Sequence, residues 1–227
     1  MQTIVDHAIV LRRTNYGEAD RIITLLTENS GKITVLVKGV RKPKSKLAGG
    51  IEPFCVSEIS YIRGKSDIYT LTGAKIVHHY PGLTVHLDKL TKASEALRVV
   101  DKHIEDNSAS EYYALSKQYI HHLNTSDNLS VLEVWWHVQL MMLTGHDINL
   151  ESEIDGSTFS ETGRYLFDYD SAGFFSHSEG LFRPDHIKLL KLCCSNAPNI
   201  LGRIKNCVEI SGDILPTVKT FVKLQIG

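Results

Sequence analysis

Lys32-Ile33-Thr34-Val35-Leu36-Val37-Lys38-Gly39-Val40-Arg41-Lys42-Pro43-Lys44-Ser45-Lys46 decides how the N-terminal part of this chain is read. Ile33, Val35 and Val37 alternate with Lys32, Thr34 and Lys38, the period-2 pattern of a strand with one buried and one wet face. The nine residues from Lys38 to Lys46 then carry five cations and no carboxylate. A strand that empties into such a run predicts a positively charged loop hung on a β scaffold.

Working outward, β-branched segments recur at Ile4–Leu11, Arg21–Thr27, Phe54–Ile62 and Ile68–Leu71. Asn29-Ser30-Gly31 and Gly64-Lys65-Ser66-Asp67 punctuate them as turns. About five short strands in some 80 residues suit a small closed barrel, with an OB-fold the leading candidate. His78-His79-Tyr80-Pro81-Gly82 breaks the pattern. Beyond it Leu90, Ala93, Leu97, Val100 and Ile104 fall at helical spacing, as do Tyr112, Ser116, Tyr119 and Leu123. Asn128 or Ser130 can cap a third helix. Its apolar residues, Trp135 and Trp136 among them, run nearly all round, which predicts the buried centre of a bundle. Residues 145–182 are rich in Gly, Ser and Asp, with β-like pieces at Arg164–Phe167 and Gly173–Ser176. Helices follow at Asp185–Cys194 and Asp213–Leu224, the last with Ile214, Leu215, Val218, Phe221 and Val222 inward. The expected fold class is α+β: an OB-fold barrel over 1–80, then a mainly α-helical domain over 81–227, with 145–182 a loop and β insertion.

The chain has 227 residues, is 42% hydrophobic and has a formal net charge of −1. The charge is unevenly spread. Residues 1–80 hold 12 Lys and Arg against 7 Asp and Glu, a net of +5, and residues 81–227 hold 13 against 19, a net of −6. The basic part suits a polyanion; the acidic part suits protein partners. Met1-Gln2-Thr3-Ile4-Val5-Asp6 does not read as a signal peptide, and no run approaches the ~18 apolar residues of a membrane helix. Cys55, Cys193, Cys194 and Cys207 are far apart or adjacent, so reduced thiols in a cytoplasm are expected rather than a disulfide framework.

The cationic run is the leading candidate site. Lys and Arg neutralise phosphates and release condensed counterions, and a β-barrel with a cationic groove is a common single-strand platform. Lys38, Arg41, Lys42, Lys44 and Lys46 form the expected DNA clamp, and Arg12, Arg13, Arg21, Arg63 and Lys65 extend it. Tyr61 and Tyr69 suit either base stacking or plain packing, with packing the commoner use of a strand tyrosine; Phe54, after Pro53, reads as core. Neighbouring residues on a helix point about 100° apart, so Cys193-Cys194, His78-His79 and His121-His122 make poor metal ligands and no metal is expected. No Gly-x-Ser-x-Gly, Walker loop or His-Glu-x-x-His is present. Asp147, Glu151, Glu153 and Asp155 read as a solvated acidic loop rather than a hydrolase centre. The expectation is therefore no enzyme and no cofactor. An RNA-binding OB module of translation or RNA handling remains the alternative, since the same loop serves it equally.

A resemblance sharpens this. Gly17-Glu18-Ala19-Asp20-Arg21-Ile22-Ile23-Thr24-Leu25-Leu26-Thr27, Gly31-Lys32, Lys38 to Leu47 and Glu52-Pro53-Phe54, in that order, resemble the RecO family of bacterial recombination and DNA-repair proteins. Leu143-Thr144-Gly145-His146 and Phe167-Asp168-Tyr169-Asp170-Ser171-Ala172-Gly173-Phe174-Phe175 agree in layout. The resemblance implies an N-terminal OB-fold, a helical C-terminal domain, binding to single- and double-stranded DNA and annealing of complementary strands. It also implies partnership with RecR and with the single-stranded DNA-binding protein, so that RecA loads, in a cytoplasmic, nucleoid-associated setting without a membrane. Two departures stand out. Many members of that family carry a four-cysteine zinc module where this chain has residues 147–180, and here no cysteine lies between Cys55 and Cys193. The C-terminus also lacks the basic ending the family pattern implies, which bears on any partner contact made by the last helix.

Overall fold

The computed structural model describes residues 2–64, 67–104 and 109–227. Five strands close into a barrel: β1 (Thr3–Tyr16), β2 (Asp20–Thr27), β3 (Lys32–Val37), β4 (Val56–Ile62) and β5 (Ile68–His78). Their order is β1-β2-β3-β5-β4, and β4 returns to β1. All pairings are antiparallel except β3 with β5. This is the strand order of an OB-fold, as the sequence predicts. Closure leaves no sheet edge exposed to another chain.

The barrel interior comes from the alternation read in the sequence. Ile33, Val35 and Val37 are at most 5% exposed and pack with Ile23, Leu25, Ile51 and Ile59. Each such side chain contributes about 1.5–3 kcal/mol through burial. Strand β1 is longer than its apolar run suggested, because its two halves serve different partners. Residues 3–9 pair with β4 and residues 8–16 with β2. A register shift between Val10 and Arg12 marks the bend. Strand β5 also overruns the expected Leu71, continuing along β4 to His78. A short 3₁₀ turn, Ala48–Ile51, plugs the barrel. A Cβ at Gly50 would run into the backbone carbonyl of Ala74 on β5, so the plug seats only with glycine there.

Helices α1 (Pro81–Val85), α2 (Leu87–His103) and α3 (Ala109–Thr125) follow. They cluster with the barrel in one compact unit, residues 1–125, and residues 126–227 form a second. Position 80 thus marks the end of the barrel, and the compact unit runs on through three helices. Lys32 shows one tie: its Nζ donates to the Asp101 carbonyl on α2 at 2.6 Å.

In the second unit, α4 (Leu129–Leu143) is buried along most of its length and packs on α5 (Pro184–Ser195) and α7 (Cys207–Ile226), with the short α6 (Pro198–Leu201) alongside. Trp135 Nε1 donates to the Asn196 carbonyl at 2.9 Å, and Gln139 Nε2 donates to the Cys193 carbonyl at 2.7 Å. These bonds satisfy carbonyls at the end of α5 that have no partner within that helix. Helix α7 begins six residues earlier than expected and accommodates Pro216 in its interior. Its buried residues include Ile214, Val218, Phe221 and Val222, with Leu215 half-buried.

The insertion forms a hairpin of β6 (Tyr165–Asp168) and β7 (Gly173–Ser176). An aromatic cluster holds it: Phe167 meets Phe174 at 5.1 Å and Phe221 of α7 at 5.3 Å, and Phe174 meets Phe182 at 5.4 Å. Glu153 belongs to this structure. It is buried, and its carboxylate accepts from the Ser176 N–H at 2.6 Å and hydroxyl at 2.7 Å. Asp155 accepts from the Ser157 N–H and hydroxyl in the adjoining turn. These two residues of the acidic stretch thus serve the local fold.

Candidate nucleic-acid interface

The loop from Lys38 to Lys46 is folded back on the barrel and does not hang free. Gly39 adopts φ +64°, a left-handed conformation that glycine takes without strain. Its N–H donates to Asp20 Oδ1 at 2.7 Å, and the Arg41 N–H donates to the Ala19 carbonyl at 2.9 Å. Arg41 Nη1 reaches the Gly17 carbonyl at 3.2 Å. Lys42 N–H to Gly39 carbonyl and Ser45 N–H to Lys42 carbonyl continue the turns. Val40 drops into the barrel core, and Leu47 and Ala48 pack on that core from the far end. Anchored at both ends and in the middle, the segment presents Lys38, Arg41, Lys42, Lys44 and Lys46 outward, all exposed.

No carboxylate among the described residues lies within ion-pair distance of Lys38, Arg41, Lys42, Lys44 or Lys46. That is the central electrostatic fact of the site. Five like charges on a short fixed loop raise a positive potential that a string of phosphates would relieve. Arg41 spends one N–H on Gly17 and keeps the others of its five donors for a ligand.

The extended track is less uniform. Arg21 lies beside the loop's anchor, and its Nε donates to Asn15 Oδ1 at 3.2 Å across the β1–β2 hairpin. Arg13 pairs with Glu52 at 3.3 Å. Arg12 sits 3.7 Å from Asp101, which Lys32 also engages at 3.3 Å. Arg63 is exposed just past β4. Ile62 and Leu36 both pair with Thr70, so the register carries Arg63 back along the sheet, away from Lys38. Lys65 lies outside the described residues. The fold thus ties Gly39 and Arg41 to the β1–β2 turn beside Arg21, while Arg12 and Arg13 already have carboxylate partners.

Tyr61 is 1% exposed and packs edge-to-face on Tyr69 at 5.1 Å, so its ring is barrel core. Burial, above all, raises its phenol above the ordinary range. Phe54 is half-buried at φ +57°. Sequence reasoning missed two residues that build the site, Asp20 and Val40. An apolar residue inside a cationic run, next to a glycine, is the signal that marks Val40 as an anchor.

A closed OB-type barrel carrying an exposed cationic loop, followed by helices, defines the class. Comparison with known proteins gives the family. The family model described as "Recombination protein O N terminal" matches residues 1–80. The DNA repair protein RecO of Acetivibrio thermocellus is 33% identical over 171 residues, which cover 74% of this chain and 67% of that protein. That of Heliobacterium modesticaldum is 29% identical over 209 residues, covering 87% and 76%. That of a Dehalococcoides mccartyi strain is 49% identical over 73 residues, covering 32% and 28%. The chain belongs to the RecO family.

Proposed function

We propose that this protein is a DNA repair and recombination mediator that binds single- and double-stranded DNA and anneals complementary strands. In this reading it acts with RecR and the single-stranded DNA-binding protein in the cytoplasm, at the nucleoid, so that RecA loads onto covered DNA. Among the described residues no helix is long and apolar enough to cross a membrane.

The observation that carries the reading is the anchored loop whose five cations have no carboxylate partner among the described residues. Annealing then needs no covalent chemistry and no enzyme. The loop screens repulsion between two phosphate backbones and holds the strands close. Because phosphate contacts position without specifying, binding is largely independent of sequence.

The test is annealing of two labelled complementary strands, followed by energy transfer, with the wild type and with Arg41, Lys42, Lys44 and Lys46 all changed to Ala. The wild type accelerates annealing and the variant does not, while both melt at the same temperature. Equal acceleration by both overturns the role of the loop. Tighter binding to RNA than to DNA, without annealing, supports the RNA-binding reading instead.

A further inference from the structure

The barrel carries one aromatic ring that its core does not use. Tyr16, the last residue of β1, is 55% exposed. Among the described residues it is the only aromatic side chain that stands exposed; the other tyrosines, the phenylalanines and both tryptophans are buried or half-buried. Its ring and hydroxyl have no hydrogen-bond or ring partner among the described residues.

The ring stands where the cationic loop is fastened. Tyr16 pairs in register with Asp20 on β2, and Asp20 Oδ1 accepts from the Gly39 N–H of the loop at 2.7 Å. Gly17, the next residue, gives its carbonyl to Arg41 Nη1 at 3.2 Å. The exposed ring and the run of five cations thus meet at one turn.

The register also fixes which face of the hairpin carries Tyr16. Val10 and Leu25 lie opposite each other in the barrel core, and Ile23 lies there too. Ile22 therefore belongs to the outer face, with Thr14 opposite it on β1 and Leu36 opposite it on β3. Tyr16, two residues beyond Thr14, shares that face. Thr14 is exposed, and Ile22 and Leu36 are half-buried. Lys38 follows Leu36 by two residues and opens the loop. The outer face therefore runs from a ring, past a short apolar floor, into cations.

One ligand class uses both parts. A single tyrosine buries about 150–250 Å², well short of the ~800 Å² that each side of a stable protein interface contributes. Ile22 and Leu36, already half-buried, add little. A lone phosphate would use the cations and leave the ring in water. An unpaired nucleotide engages everything: its phosphates meet Lys38, Arg41 and Lys42, and its base lies on the ring. The base is uncharged, so the Glu18 and Asp20 carboxylates of the turn do not repel it as they would a phosphate.

We propose that Tyr16 is the stacking platform for an unpaired base of the strand whose phosphates the loop holds; the inference rests on the nucleic-acid reading above. It gives annealing a direction. Pairing returns the base to a stack whose faces are covered. The annealed product keeps the phosphate contacts and gives up the ring, so Tyr16 acts on the strands and not on the duplex.

The test is anisotropy at several salt concentrations with three ligands: a normal single strand, an abasic strand of equal length, and a duplex. The proteins are the wild type, Tyr16→Thr, which keeps a good strand former at an exposed position, and Tyr16→Phe, which keeps the ring and drops the hydroxyl. The wild type and Tyr16→Phe prefer the normal strand by roughly tenfold. Tyr16→Thr loses most of that preference, while its salt slope and its duplex affinity match the wild type. Should Tyr16→Thr fail to fold, Tyr16→Leu takes its place with the same expectation. Full preference in the folded Thr or Leu variant overturns the proposal and leaves the loop's role intact. Loss of preference in Tyr16→Phe as well overturns it too, because the hydroxyl and not the ring is then what binds. An equal fall in strand and duplex affinity also overturns it, since Tyr16 then serves the shape of the loop. Absent or salt-independent binding of both strands by the wild type overturns the nucleic-acid reading and this inference with it.

Discussion

The N-terminal loop and the C-terminal unit use positive charge in opposite ways. In residues 38–46 five cations stand exposed with no carboxylate among the described residues within ion-pair distance. In residues 126–227, 8 Lys and Arg are set among 13 Asp and Glu, and several are paired. Lys219 meets Glu133 at 2.6 Å, Lys191 meets Glu151 at 3.2 Å and Lys188 meets Asp185 at 3.5 Å. The lesson is that a charge count along a chain does not locate a polyanion site; pairing does. The barrel itself repeats it on a smaller scale. Arg12 and Arg13, as cationic in sequence as Lys42 and Lys44, are drawn to Asp101 and Glu52.

If charge in the second unit is structural, disturbing its packing or its buried pair must cost stability. Trp135→Ala has the largest expected effect, about 3–5 kcal/mol, because a 2%-exposed indole and its bond to Asn196 are lost together. Urea unfolding followed by far-UV circular dichroism measures it. Lys219→Ala comes next. Glu133 is 5% exposed, and the substitution takes a cation away from its buried carboxylate. Water reaching the half-exposed Lys219 site moderates the loss to about 2 kcal/mol. A melting temperature unchanged in Lys219→Ala would place that pair with the inert surface ion pairs.

On the loop side the expected stability effects are smaller and the binding effects larger. Asp20→Ala removes the acceptor for the Gly39 N–H and costs about 1 kcal/mol. It also weakens single-strand binding several-fold, because the loop must then be ordered by its ligand. Binding equal to wild type would show that anchoring contributes nothing to affinity.

The smallest effect is on pH dependence. Burial holds His103 and His122 below the ordinary imidazole value of 6.5. Below that pH the unfolded chain takes up protons that the folded chain refuses. The stability these groups contribute is therefore present above about pH 6.5 and lost as pH falls through and below it. Melting of the residue-1–125 unit is expected at a lower temperature at pH 5.5 than at pH 7.5; the reverse order contradicts the burial argument.

Much of this was legible in the sequence. Ile33, Val35 and Val37 gave β3, the recurring β-branched segments gave the barrel, and the nearly all-apolar run around Trp135 gave α4. Local period carries those signals. The unread features depend on residues far apart in the chain. Nothing near Arg12 announces Asp101, 89 positions later on α2. Nothing near Asp20 announces that it will hold Gly39. Glu153 looks like one more acidic loop residue until Ser176 closes on it.

The most direct measurement is the salt dependence of single-strand binding, by fluorescence anisotropy between 50 and 200 mM salt. Three proteins are needed: the wild type, the variant with Arg41, Lys42, Lys44 and Lys46 changed to Ala, and a control with Lys188 and Lys191 changed to Ala. With about five phosphates neutralised, the wild type should show a slope of log K against log salt of roughly −3.5, a loss of about 100-fold over that range. The loop variant should retain only about −0.7, and the control should match the wild type. A loop variant that keeps the wild-type slope, or a control that loses it, contradicts the assignment of the phosphate clamp to the exposed cations of the barrel loop.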